Sequence, residues 1–466
     1  MTPADSAPRH LDWRTALVIG LAALVWFLPG TTWGLPAVTP TMLASRWGVD
    51  ELGPNGALIV LRALLGADVV PSPQYPLGHY FVQALFVWPY HVAVLAADNL
   101  GFPPQTESVT TLVFLHRLPS VLMAAGTVVL AATFVRRLTG HAGAAWFAAA
   151  AVAGIAPLAY YGRTSNVDAG ALFWVMLGLP LALDIVRTGF TPRRAVLIGL
   201  CAAIGIATKD QQYAVFLGIA AVLLYAHFRP RAGSANAAGG WRGPLTGLAV
   251  AIGSYLVVSG AVLLPRWFLG HVEFIRHGSA SELPQEILGL VNTYYSNPAT
   301  VAGYASLAGD VGAQLGAAVG IPLLLLAVLG AFLLARREPR AAALLVAPTL
   351  MLVAGVILPV RFVLPRFLLP IDLVACLLAG VAVAEGLRST RWRRATQLAV
   401  VATLGWGVVR GADLTWQMTR DSRYETARWL EANLQPGDTL AYFGARFKLP
   451  RLHRELVVVP APHQDL

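Results

Sequence analysis

Acidic side chains border the apolar segments of this sequence at two places where carboxylate chemistry would be available. Asp50 and Glu51 are adjacent and follow the first long apolar segment, and Asp168 directly precedes a later one. Ionisable groups are costly at membrane depth, so those found there tend to mark functional sites. A carboxylate can act as a general base, and several together can hold a divalent cation. We therefore take these three acids as candidate catalytic residues and as the candidate ligands of any metal.

These acids also have a structural interpretation. Pro54 suits the first turn of a helix, and the dipole of a helix favours negative charge near its N-terminus. Asp50 and Glu51 would then flank the helix-like segment NGALIVLRALLG, and Asp168 would cap the helix that it precedes. The residues by themselves leave both interpretations open.

Basic side chains occur at the edges of apolar segments on the same predicted side. Lys209 is one of two lysines, Arg361 and Arg366 stand beside prolines in RFVLPRFLLP, and Arg163 lies five residues before Asp168. An ammonium group can point its charge at a phosphate, and a guanidinium can bind one through two parallel hydrogen bonds. These four residues are candidate phosphate ligands. The alternatives are a snorkelling lysine paired with its neighbour and arginines that contact lipid headgroups.

The composition predicts a membrane protein. The chain has 466 residues, of which 56% are hydrophobic and 12% are charged, whereas soluble domains carry about 25% charged residues. Apolar runs recur near the ~20 residues that a helix needs to cross a bilayer, and they lack the alternation of barrel strands. The sequence predicts eleven transmembrane helices, at 15–35, 111–135, 142–160, 169–187, 194–208, 211–228, 244–265, 312–335, 341–360, 367–387 and 395–411.

Arginines set the predicted orientation, because basic residues in short loops favour the cytoplasmic side. Every second loop between the predicted helices is basic. The candidate acids and phosphate ligands then share the opposite, outer side. The net charge of +10 follows from this topology and is balanced by anionic lipids, so no nucleic-acid partner is expected.

The predicted organisation has three parts: a cytoplasmic N-terminus (1–14), a transmembrane domain (15–411) and a small outer C-terminal domain (412–466). The transmembrane domain contains a first outer loop, a cytoplasmic Gly/Ala-rich linker and a second outer loop, at 36–110, 229–243 and 266–311. Aromatic residues and histidines within 76–97 favour a helix lying at the outer interface. The tail pattern RYETARWLEANL, QPGD and two short apolar runs predicts a helix, a turn and two strands.

Six motifs occur in an order that resembles the GT-C type membrane glycosyltransferases, particularly the bacterial relatives of protein O-mannosyltransferases and of lipid A aminoarabinose transferases. They are Asp50-Glu51, YPLGHY at 75–80, RLPS at 117–120, Arg163 with Asp168, Thr208-Lys209, and RFVLPRFLLP at 361–370. The tail also resembles the short outer domain of this family, whereas YPLG replaces the usual HPPL. The resemblance covers most of the chain. It implies an all-α polytopic membrane protein with the GT-C fold, about eleven transmembrane helices, outer juxtamembrane helices and a small α/β C-terminal appendage.

The resemblance implies an inverting glycosyltransferase that takes a sugar from a polyprenyl phosphate and passes it to a glycan, lipid or protein. Asp50 would be the base that deprotonates the acceptor hydroxyl, and Glu51 would orient the acceptor or a metal. Asp168 would support the sugar or the acceptor. Lys209, Arg361, Arg366 and Arg163 would hold the donor phosphate, because negative charge develops on the leaving oxygen.

The substrate pocket implied by the resemblance includes Tyr75, His79 and Tyr161. The protein would be a multi-pass component of the inner (plasma) membrane with its active site on the outer face. A divalent ion could bridge the carboxylates and the phosphate, because it prefers oxygen ligands, and the sequence leaves this possible metal open. No histidine pair shows metal-ligand spacing. A transporter of lipid-linked substrates is the main alternative class, although no repeated halves are apparent in the sequence.

Overall fold

The computed structural model describes residues 11–35, 47–48, 51–52, 54–64, 66, 75–97, 106–229, 240–277, 296–442, 449–452 and 456–460. Asp50 and residues 230–239 of the predicted linker lie outside these ranges. The described chain is predominantly helical and carries one small sheet. The helices are α1 (Trp13–Phe27), α2 (Pro54–Leu64), α3 (Gly78–Ala97), α4 (Thr106–Thr139), α5 (Ala142–Ala153), α6 (Ala156–Tyr161), α7 (Val167–Thr188), α8 (Pro192–Thr208), α9 (Gln212–Phe228), α10 (Arg242–Val258), α11 (Pro265–His277), α12 (Val301–Val319), α13 (Ile321–Arg337), α14 (Pro339–Leu352), α15 (Leu369–Arg388), α16 (Arg393–Thr419) and α17 (Ser422–Asn433).

The predicted all-α polytopic membrane fold is confirmed, and each of the eleven predicted spans overlaps a helix. Five helical stretches in the described part of the chain are long and apolar enough to cross a membrane, and the bent pair α12–α13 makes a sixth if counted as one span. Four shorter apolar helices, α1, α5, α9 and α10, stand beside them. Length and composition therefore support a multi-pass arrangement.

The predicted span 312–335 is wrong at its beginning. Helix α12 ends at Val319, and the chain turns by 103° before α13 begins at Ile321. Gly320 makes this turn with a φ of 81°, a left-handed conformation that glycine adopts without strain. The second outer loop, predicted as 266–311, also contains the helix α11 and most of α12.

The predicted basic loops meet at one end of the bundle. Arg187 donates to the Arg137 carbonyl at 3.0 Å and forms an ion pair with Glu338 at 3.1 Å. Arg388 donates to the Thr139 carbonyl. Loops that the charge pattern assigned to a common side are therefore in direct contact.

Small residues allow the membrane helices to pack closely. A Cβ atom at Gly330 in α13 would lie 1.8 Å from the Leu378 carbonyl oxygen in α15, and one at Gly218 in α9 would lie 2.6 Å from Pro348 in α14. Without a hydrophobic drive between helices in lipid, such close backbone approach is a main source of association. Glycine is required at both crossings for this geometry.

The C-terminal appendage, defined here as residues 422–460, contains α17 and two parallel strands, β1 (Thr439–Tyr442) and β2 (Val457–Pro460). Thr439 pairs with Val457, and Tyr442 pairs with Pro460. Its small core consists of Leu430, Leu449, Leu452 and Leu456. The predicted small α/β appendage is confirmed.

Helix α3 lies against the ends of two membrane helices, α7 and α8. A Cβ atom at Gly78 would be 2.5 Å from the Ala207 carbonyl oxygen at the end of α8. The neighbouring cluster joins α2, α3 and α11 through Val60, Leu77, Tyr80 and Trp267. Val167 at the start of α7 belongs to the same cluster. The three helices therefore cover the region where α7 begins and α8 ends.

Candidate active site

Asp168 and Lys209 form the centre of the candidate site. Asn166 caps α7, so Asp168 falls in the first turn of that helix, and Lys209 follows directly after α8. The Lys209 Nζ atom lies 2.5 Å from the Asp168 Oδ1 atom, and the two side chains are 11% and 2% exposed. A buried pair of this kind concentrates one acid and one cation where α7 begins and α8 ends.

Phe367 connects this pair to the basic segment before α15. The Lys209 Nζ atom lies 5.3 Å from the centre of the Phe367 ring, and the Arg366 guanidinium lies 5.7 Å from the same centre. A short helical turn, Pro365–Phe367, sets the position of both residues. Lys209 and Arg366 therefore face one aromatic ring, and Asp168 pairs with the first of these cations. A shared role of the three residues in a site stays a prediction.

Arg361 stands apart through its backbone. It is the non-glycine residue with positive φ (54°) in the described chain, and it ends the helical segment Leu358–Val360. Its carbonyl accepts a hydrogen bond of 2.8 Å from the Asn297 N–H. Residues held in such a conformation cluster at functional sites. Arg361 is half-buried. Its role in phosphate binding stays a prediction.

Glu51 is engaged by protein groups on both carboxylate oxygens. Arg117 donates from Nε to Oε1 at 2.8 Å and from Nη2 to Oε2 at 2.9 Å, and the Ser165 N–H donates to Oε1 at 3.0 Å. The Glu51 and Arg117 side chains are fully buried. This geometry assigns Glu51 to an internal ion pair and leaves orientation of an acceptor to other groups.

The Glu51 ion pair joins segments that are far apart in the sequence. The Nη1 atom of Arg117 donates at 2.6 Å to the carbonyls of Thr31 and Trp33, after α1. Leu52 donates its N–H to the Ser165 carbonyl at 2.7 Å. Arg117 was not among the predicted site residues, although the RLPS motif contains it. Its position within an apolar stretch, far from the basic residues Arg136 and Arg137 that end the same helix, is the sequence signal that could have identified it.

Arg163 serves a different part of the molecule from the Asp168–Lys209 pair. Its Nη2 atom donates at 2.8 Å to the Trp26 carbonyl in the last turn of α1, where a positive charge complements the helix dipole. The side chain is buried, and burial lowers the pKa of Arg163 to about 10. The structure therefore places Arg163 as a cap of α1, and its predicted contact with a phosphate stays a prediction.

The three predicted pocket residues occupy separate places. His79 is completely buried in α3, where a Cβ atom at Gly170 of α7 would lie 2.9 Å from its Nδ1 atom. Tyr75 packs in the cluster below α3. Tyr161 packs edge-on against Tyr160 at 5.0 Å. His79 is thus the one of the three that lies beside the first turn of the Asp168 helix.

Further buried polar groups lie close to the candidate pair. His271 in α11 contacts Asp210 at 3.2 Å and stacks on Trp267 with ring centres 5.2 Å apart. His271 is 2% exposed. Asp372 in α15 is also buried, and neither of its carboxylate oxygens accepts a hydrogen bond from a described residue.

The acids fit a metal poorly as they stand. Glu51 and Asp168 already contact Arg117 and Lys209, and these cations compete with a metal for the same oxygens. No group of three candidate ligands occurs among the described residues. Asp50 lies outside them, and the possible divalent metal stays a prediction.

No family model and no curated protein matches the sequence. Two solved structures share its architecture. The crystal structure of ArnT from Cupriavidus metallidurans bound to undecaprenyl phosphate has a TM-score of 0.52 and 16% identity, covering 98% of this chain and 87% of that chain. The same protein in the apo state has a TM-score of 0.53 and 15% identity, covering 96% and 86%. The chain is therefore a polytopic membrane protein of the GT-C fold, similar in fold to ArnT, a lipid A aminoarabinose transferase.

Proposed function

We propose that this protein is an inverting glycosyltransferase that moves a sugar from a polyprenyl phosphate to an acceptor hydroxyl at the outer face of the inner membrane. The main supporting observation is that Lys209 pairs with Asp168 and, like Arg366, lies within 6 Å of the centre of the Phe367 ring. A lipid-linked phosphate needs cations at the membrane edge, and these side chains lie where membrane helices end. The shared fold with ArnT bound to undecaprenyl phosphate supports the same class of ligand.

The proposed reaction assigns a separate task to each group. Asp50 takes the proton of the acceptor hydroxyl, and the acceptor oxygen attacks the anomeric carbon from the face opposite the phosphate. The bond between that carbon and the phosphate oxygen breaks, and polyprenyl phosphate leaves. Lys209 and Arg366 stabilise the negative charge that develops on the leaving oxygen.

Asp168 neutralises and orients the Lys209 ammonium group in this scheme. In the absence of a ligand it neutralises the Lys209 ammonium, which avoids an uncompensated buried charge. A bound phosphate would share that ammonium with Asp168. The fixed pair therefore keeps Lys209 aimed at the site before the donor arrives.

Binding of undecaprenyl phosphate tests the proposal directly. We expect purified protein in micelles to bind this lipid, measured by native mass spectrometry, and Lys209→Gln and Arg366→Gln to weaken binding about tenfold each, as loss of a charge-assisted hydrogen bond requires. Arg428→Gln is the matched control, because the Arg428 side chain is 75% exposed on the appendage. Equal binding by all four proteins would contradict the assignment of the phosphate site.

Transfer itself requires a donor screen. Undecaprenyl phosphates carrying different radiolabelled sugars are incubated with the protein and with membrane lipid, glycan and protein extracts as acceptors. We expect labelled product from at least one donor, with loss of the label from the lipid carrier and inversion at the anomeric carbon. Hydrolysis without transfer, or retention of configuration, would exclude the proposed reaction.

The 103° bend between α12 and α13 favours a second candidate, because interrupted helices are a feature of transporters. Under this alternative the protein would move lipid-linked substrates across the bilayer. Proteoliposomes containing a fluorescent polyprenyl phosphate distinguish the two functions. Protein-dependent translocation without sugar transfer would favour transport.

A further inference from the structure

We propose that the C-terminal appendage is part of the active centre, because its contacts with Trp47 position the segment that carries Asp50 and Glu51. The effect on catalysis rests on the proposed function. The positioning itself rests on contacts between the appendage and residues that precede Asp50 in the sequence. Trp47 is accordingly a positioning residue.

Trp47 is held by the appendage on several sides. Its indole N–H donates at 2.8 Å to the Leu449 carbonyl, and its ring centre lies 4.9 Å from that of Tyr424. The Arg423 guanidinium stands 4.0 Å from the Trp47 ring centre, within the range of a cation–π contact. Trp47 is 3% exposed. An indole fixed by a hydrogen bond and a guanidinium face has little freedom to move.

A second set of contacts ties the appendage to the turn after α1. Trp33 donates its indole N–H at 2.9 Å to Asp421, which precedes α17, and Gly34 donates its N–H at 3.0 Å to the Tyr424 hydroxyl. Trp47 donates its N–H to the Gly34 carbonyl at 3.2 Å. The two tryptophans therefore form one unit with the start of the appendage.

The other end of the segment is fixed by the membrane domain. Glu51 is bound by Arg117, and the Leu52 N–H is bound by the Ser165 carbonyl. Gly48 and Glu51 lie close together, since a Cβ atom at Gly48 would clash with the Glu51 carboxyl group. Asp50 stands in the sequence between an end held by the appendage and an end held by the membrane helices. Both ends must be fixed if its carboxylate is to stay within hydrogen-bond reach of an acceptor.

Arg117 links the two anchors. It donates to Glu51 and to the Trp33 carbonyl, and Trp33 in turn donates to Asp421. Hydrogen bonds thus run without a break from the start of the appendage to the carboxylate beside Asp50. A shift of the appendage would be transmitted along this chain of groups.

Two variants weaken the contacts between Trp47 and the appendage without removing a charged group from the membrane domain. Trp47→Phe removes the indole N–H while keeping an aromatic ring, and Arg423→Leu removes the cation over that ring. Trp429→Phe and Arg428→Leu are the matched controls, since Trp429 is 61% exposed and the Arg428 side chain is 75% exposed on the same helix. The full-length protein is used throughout.

Hydrogen–deuterium exchange provides the readout that does not depend on activity. We expect amides in the peptide containing residues 47–52 to exchange about tenfold faster in Trp47→Phe and Arg423→Leu than in the wild type, because their hydrogen bonds open more often. The controls should match the wild type. Unchanged exchange in both variants would overturn the proposal, whether or not sugar transfer is detected.

Kinetics then test the catalytic consequence. We expect kcat to fall about tenfold or more with little change in KM for the donor, since misplacement of a reacting group by about an ångström costs up to ~100-fold. A merely structural role would lower the amount of folded protein and leave kcat per folded molecule unchanged, and that result would overturn the proposal. An inactive wild-type protein with faster exchange in the variants would instead refute the proposed function and leave the positioning intact.

Discussion

Arg117 binds both carboxylate oxygens of Glu51 in a buried ion pair, with Nε and Nη2 at 2.8 and 2.9 Å. Both oxygens of the Glu51 carboxylate are therefore occupied within the protein, which supports a structural role for this acid. Asp50, its neighbour in the sequence, lies outside the described residues and stays the proposed base.

Arg117→Met should destabilise the protein by about 3–5 kcal/mol, because removal of one partner leaves a buried charge without compensation. Thermal unfolding in detergent micelles measures the effect. The double variant Arg117→Met with Glu51→Gln should be less destabilised than the sum of the two single variants. Additive effects would indicate that the two side chains do not interact as the structure shows.

Asp50→Asn should abolish sugar transfer while leaving binding of undecaprenyl phosphate intact. General-base catalysis raises reaction rates by ~10²–10⁴-fold, and an asparagine amide cannot take up the proton of the acceptor hydroxyl. The comparison is made with Glu51→Gln, whose expected effect is on folding yield. An Asp50→Asn protein that transfers sugar at the wild-type rate would remove Asp50 from the proposed reaction.

His79 predicts a defined loss of stability in acid. Burial lowers the pKa of His79 to about 4, against 6.5 for an ordinary histidine, so the unfolded chain binds a proton that the folded chain excludes. Stability should fall as the pH drops from 6.5 to 4, by roughly 3 kcal/mol in all. His79→Leu should flatten this part of the stability–pH curve, measured by thermal unfolding at a series of pH values. A slope identical to that of the wild type would show that His79 is accessible to protons.

Gly330→Ala should disturb the crossing of α13 and α15, since the added Cβ would lie 1.8 Å from the Leu378 carbonyl oxygen. Overpacking of this kind costs about 1–3 kcal/mol. Gly309→Ala in α12 is the control, because its Cβ would meet no atom within 4 Å and alanine is the better helix former by about 1 kcal/mol. We expect a lower melting temperature for the first variant and an equal or higher one for the second. The reverse order would show that the helices are packed differently.

The sequence by itself determined the membrane architecture. Hydropathy and the spacing of basic loops predicted the eleven helical regions, because the bilayer imposes a length and a charge rule on each segment independently of its neighbours. The same local logic predicted the appendage from RYETARWLEANL and QPGD. It failed at Gly320, where a single residue turns the chain by 103° inside an apolar run that hydropathy reads as continuous.

The sequence also singled out Asp168 and Lys209, which form an ion pair in the structure, and Arg366, which precedes the Phe367 ring that Lys209 faces. It could not decide which partner each charge would find. Pairing depends on distances between residues up to 402 positions apart in the sequence, such as Trp47 and Leu449, and hydrogen-bond geometry is set only once the helices have packed. Tertiary structure alone therefore decided that Glu51 belongs to Arg117, that Arg163 caps α1, and that Trp47 is bound by the C-terminal appendage.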